Sequence, residues 1–154
     1  VGRKDGEAIR RAGMTASSLA LAIMAIAALS FILLRNELPK LYIDDPAVIS
    51  LASVLLIYAA LFQLSDGMQA VGHGILRGMT DVTIPMFIAV FAYWVIGLPS
   101  GYLFAFVLDM GPQGIWLGFV GGLTTAAVAF HVRFHRLSRR RFPAPDRDTG
   151  NTPR

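Results

Sequence analysis

Along this chain, polar and apolar residues are sorted into blocks rather than periodic patterns. No Asp, Glu, Lys or Arg occurs across 12–34, 46–65, 82–108 or 110–132, which gives charge-free runs of 23, 20, 27 and 23 residues. A bilayer core of ~30 Å needs about 20 apolar residues at helical rise. The blocks therefore predict an all-α integral membrane fold with four transmembrane helices. The expected spans are 14–34, 47–76, 82–108 and 114–132.

Local signals refine each span. Asp44-Asp45-Pro46 predicts a helix start, because Pro is tolerated in the first turn after a capping Asp. The second span is long enough to require tilt, a break or projection beyond the lipid, and Gly67, Gly72 and Gly74 are expected to weaken its later half. In the third span Pro99, between Gly97 and Gly101, removes a hydrogen bond and crowds the carbonyl of Val95, so a kink is expected there. Gly114, Gly118 and Gly122 form a small-residue packing ridge on the fourth span. The polar stretch 137–154, with Pro143, Pro145 and Pro153, reads as a disordered basic tail. Arg136 and Arg139–Arg141 are expected to rest on anionic headgroups.

Composition then adds direction. Hydrophobic residues make up 55% of the 154, and the net charge is +4. The basic residues lie at span borders and chain ends, so nucleic acid is not an expected partner, whereas membrane lipid is. If the spans alternate from an inner amino end, 12 of the 14 Lys and Arg fall on the inner side. Lys and Arg favour the cytoplasm, so both ends of the segment are expected there. The chain opens on Val1-Gly2 without an initiator Met, and a piece of a longer parent is expected.

One carboxylate stands out. Asp66 is the only ionised side chain inside any span, and such residues are costly and face a protein-lined or wet interior. Gln63, Asp66, Gln69 and His73 recur at helical steps, which places them on one stripe. The competing readings are a carboxylate that snorkels to water and glutamines that hold two helices together. Tyr93 and Trp94, beside the Pro99 hinge, are candidates to line a cavity for flat cations through their ring faces; plain helix packing is the alternative. His131 and His135 stand four apart, but they lack a third ligand and lie among arginines, so no metal site is expected. No Cys/His cluster, phosphate-binding loop, nucleophile elbow or dinucleotide fingerprint occurs, so neither an enzyme nor a cofactor is expected.

Three motifs in order resemble the multidrug and toxic compound extrusion (MATE) transporters, in particular their NorM-type branch. The first is Asp66-Gly-Met-Gln69 followed by Gly74-Ile-Leu-Arg77-Gly. The second is Tyr93-Trp94-Val-Ile-Gly97-Leu-Pro99-Ser-Gly101-Tyr102, and the third is Gly114-Ile-Trp116-Leu-Gly118. The resemblance implies helices nine to twelve of a twelve-helix, two-lobe transporter in a bacterial plasma membrane, the inner membrane if Gram-negative. It implies export of lipophilic organic cations in antiport with Na⁺ or H⁺, with Asp66 as the cation-coupling residue. One carboxylate serves either ion. It also implies that the N-terminal lobe and helices seven and eight are partners of this segment. The alternative is a non-transporting structural membrane subunit or a flippase-like protein for lipid-linked substrates.

Overall fold

The computed structural model describes residues 6–141. Four long helices account for nearly all of them: α1 (Gly6–Leu34), α2 (Pro46–Gly78), α3 (Thr83–Val107) and α4 (Pro112–Arg141). Each is long and apolar enough to cross a membrane. The charge-free blocks are the reason. In lipid every backbone N–H and C=O must be satisfied within its own segment, and an uninterrupted apolar helix does that.

Asp45 starts α2 as expected. Its carboxylate accepts the Ala47 N–H at 2.9 Å, with Pro46 in the first turn. Of the three alternatives, a break is not seen: α2 stays helical through Gly78. Gly67 and Gly72 are close-approach sites, while Gly74 has open space around it. A Cβ at Gly67 would run into the Met24 side chain of α1, and one at Gly72 would meet Phe130 and His131 of α4. Packing outweighs their weak helix propensity of about 1 kcal/mol each.

Pro99 is absorbed by a change of helix type. Two π-helical stretches, Ala92–Gly97 and Leu103–Val107, bracket a short α-helical turn, Leu98–Tyr102. The wider winding lets the Leu98 N–H reach back to the Tyr93 carbonyl. The Ser100 hydroxyl donates to the carbonyls of Ile96 and Gly97 next to the imino acid. Such bulges re-route the backbone ladder where a regular helix cannot continue.

α4 is the organising helix. α2 and α3 both pack on it, while α1 packs mainly on α2 and touches α4 only lightly. The α3–α4 contact is nearly bare backbone. A Cβ on Gly118 would overlap the backbone of Gly101, and one on Gly114 would overlap Phe104 and Ala105. The predicted ridge on α4 thus meets a second small-residue ridge on α3, formed by Gly97, Gly101 and Ala105. Leu76, Met79, Ala92, Ala126, Phe130 and Phe134 form the core toward the end where α4 finishes. α4 continues through Arg141, so Leu137–Arg141 extend the helix instead of opening the tail. Ser138 is buried there, and its hydroxyl donates to the His135 carbonyl. The remainder of the predicted tail, 142–154, lies outside the described residues.

Candidate functional site

Because α2 and α3 meet α4 rather than each other, a gap opens between them. It is an apolar cavity of about 400 Å³. Phe62 of α2, Tyr93 of α3, and Trp116 and Phe119 of α4 supply its aromatic walls, and Gly97 and Gly122 give it width. The rings of Phe62 and Trp116 meet edge to face at 5.5 Å.

Asp66 sits one helical turn from Phe62, on the same face of α2. Its side chain is exposed on the surface of this four-helix segment, not enclosed within it. At roughly 100° per residue, Phe62, Asp66, Gln69 and His73 fall within a sector of about 60°. His73 lies over Phe130, ring centroids 5.6 Å apart.

The other sequence candidates scatter. Gln63 leaves the expected stripe, because its amide points to α1 and donates to the Met24 sulfur at 3.7 Å. Gln69 is half-buried on the Asp66 face. Trp94 is 68% exposed and does not line the cavity, although its neighbour Tyr93 does. Pro99 lies one residue beyond the cavity-lining Leu98. Among the described residues, no cluster of three or more His, Asp or Glu side chains gathers. What the arrangement offers is one carboxylate beside a ring-lined apolar pocket, a chemistry suited to a lipophilic cation.

Several polar contacts were invisible in the sequence. Arg133 of α4 donates through Nε to Asp81 Oδ2 at 2.5 Å and through a terminal nitrogen to Oδ1 at 3.1 Å. This fork ties the α2–α3 turn to α4, with Asp81 itself only 9% exposed. Ser65 and Thr124 share a hydrogen bond of 2.7 Å between α2 and α4. His131 contacts Ser17 of α1 at 3.1 Å.

Fold and site together define a polytopic helical membrane protein with an aromatic pocket between its helices. The chain belongs to the MatE family, whose model matches residues 1–103. It is 43% identical over 140 residues to a "Probable multidrug resistance protein NorM" of Xanthomonas axonopodis pv. citri, covering 91% of this chain and 31% of that protein. It is 44% identical over 150 residues to "Multidrug resistance protein NorM" of Burkholderia vietnamiensis, covering 94% of this chain and 32% of that protein. It is 41% identical over 143 residues to "Multidrug resistance protein MdtK" of Proteus mirabilis, covering 90% of this chain and 31% of that protein. The chain thus spans about a third of the length of these relatives.

Proposed function

We propose that this chain forms helices nine to twelve of a bacterial multidrug efflux transporter that exports lipophilic organic cations in exchange for Na⁺ or H⁺. The observation that carries the reading is Asp66. It is the lone charge within the four expected spans, and it shares a helix face with Phe62, which lines the pocket. Relatives named as multidrug resistance proteins support the same reading.

The proposed cycle follows from the cost of an ionised group in lipid, about 2.5–3.5 kcal/mol at the bilayer centre. Na⁺ or a proton neutralises Asp66 and removes that cost, so the loaded and unloaded carboxylates favour different surroundings. A lipophilic cation gains when Asp66 is ionised, and loses when the ion replaces it. The two ligands compete for one charge, and that competition is the coupling. Only differential affinity of this kind shifts a conformational equilibrium. α3 supplies a bending point at Pro99, where the helix already departs from α geometry on both sides. Exposure of Asp66 on this segment fits a carboxylate completed by helices from elsewhere in the parent. The distribution of basic residues supports an orientation with both ends of the segment in the cytoplasm.

Efflux of a fluorescent cation from cells carrying the whole transporter tests the reading. Asp66→Asn keeps the size and hydrogen bonding of the side chain but not its charge. Efflux is expected to fall to the level of cells without the transporter; efflux at the wild-type rate contradicts the proposal.

A further inference from the structure

α1 and α4 touch at Gly13 against Phe134 and at Ser17 against His131. One turn beyond that contact a second cavity, about 390 Å³, lies between Leu21 of α1, Leu64 and Met68 of α2, and Thr124 and Val128 of α4. Its walls are aliphatic where those of the first pocket are aromatic, and no Phe, Tyr or Trp lines it. Its polar atoms are already taken. Ser65 and Thr124 hydrogen-bond each other at 2.7 Å, and the two His131 nitrogens meet Ser17 Oγ and the Ala127 carbonyl oxygen. At roughly 100° per residue, Leu64 and Met68 each lie about 160° from Asp66, so this cavity opens on the far side of α2 from the carboxylate. Leu21 and Val128 are 47% and 58% exposed, which leaves it open at the surface of the segment.

Both walls lead from the cavity to basic residues. On α1, Leu21, Ser17, Met14 and Arg10 recur at steps of four and three, and on α4 so do Val128, His131, His135 and Arg139. That spacing keeps each set on one stripe. Arg10 stands 11 residues from Leu21 and Arg139 stands 11 from Val128, about 16 Å along either helix. The hydrocarbon core is ~30 Å thick, so this distance is the depth of one leaflet. Arg10 and Arg139 are exposed, and neither forms an ion pair with a described residue. The acidic side chains described at this end, Glu7 and Asp81, are held by Arg11 and Arg133.

We propose that this groove binds an anionic phospholipid, with one acyl chain between α1 and α4 and its phosphate against Arg10 and Arg139. The aliphatic, hydrogen-bond-saturated wall accepts an alkyl chain and offers nothing to a polar ligand, whose burial there would go uncompensated. The two guanidiniums present forked donors that match a phosphate. Basic pockets between helix ends are where such headgroups bind. The lipid bridges α1 to α4, whose own contact is slight.

Native mass spectrometry of the whole transporter tests this, with phosphatidylglycerol and phosphatidylcholine of equal chain length as probes. Phosphatidylglycerol is expected to bind more tightly, and Arg10→Gln and Arg139→Gln each to weaken it about fivefold. Arg136→Gln, at an exposed position off the α4 stripe, is expected to leave binding unchanged. Val128→Trp fills the groove and should weaken the lipid with both arginines intact, and glycerol phosphate, the headgroup alone, should not compete. Asp66→Asn should bind the lipid as wild type does, so this proposal and the transport reading fail separately. Equal binding of the two lipids, equal losses in Arg136→Gln and Arg139→Gln, or competition by glycerol phosphate overturns the proposal. Access is checked by a bimane label on Val128→Cys, in a background without other cysteines, in bilayers of brominated lipid. Quenching is expected; its absence shows that another helix of the parent fills the groove, which overturns the proposal too.

Discussion

Asp81 and Arg133 lie 52 residues apart, yet they form a two-bond fork whose side chains are 10% and 27% exposed. A surface ion pair contributes about 0–1 kcal/mol, whereas breaking a buried one costs about 3–5 kcal/mol. This pair lies between those limits. Asp81→Asn is expected to destabilise by about 2 kcal/mol, because it leaves the guanidinium facing a neutral group in a largely closed site. Thermal melting in detergent checks this, and an unchanged midpoint would assign the pair to the surface class. Nothing local in the sequence announces the fork. Asp81 reads there as an ordinary turn residue and Arg133 as one of many border arginines. Asp66 is the opposite case: it stands out against the apolar residues around it in the chain, so it is a candidate from the sequence alone. Gln63 shows the limit of that legibility. A helical stripe is defined to within a residue's angular width, and the Met24 sulfur was enough to draw this amide to α1.

The number and order of the helices followed from where charge is absent, because lipid penalises charge more sharply than any propensity scale distinguishes residues; the outer ends of α1 and α4 did not, since both helices continue through charged residues to Gly6 and Arg141. The Asp45 cap and the α4 glycine ridge were also legible, being local patterns. The π-helical stretches around Pro99 were not. Proline predicts an interruption, but whether the backbone bends or rewinds depends on what packs against it. Here α4 presses glycine on glycine at Gly118 and Gly101. Backbone atoms cannot yield as a flexible side chain does, so Gly118→Leu is expected to cost about 3 kcal/mol, the upper end for overpacking. Gly74 has open space around it. Gly74→Ala is therefore expected to be neutral or to stabilise by up to about 1 kcal/mol through helix propensity. Comparing the folded fraction of the two variants after solubilisation checks both. Two variants that both fold as well as or better than wild type would show that the glycines act only through helix propensity.

Over the described residues, α2 and α3 pack on α4 with α1 laid against α2, and an aromatic pocket opens where α2 and α3 part. That architecture puts a carboxylate one helical turn from a ring-lined cavity and leaves the carboxylate exposed on this segment. The proposed function therefore rests on a charge shared in turn by two ligands. Counterflux in proteoliposomes of the whole transporter measures that sharing most directly, with organic cation efflux and Na⁺ or H⁺ entry recorded together. Wild type is expected to move one of the two ions inward whenever the organic cation moves out, and Asp66→Asn to lose the linked ion movement. Organic cation efflux that remains coupled to the same ion in Asp66→Asn would contradict the account.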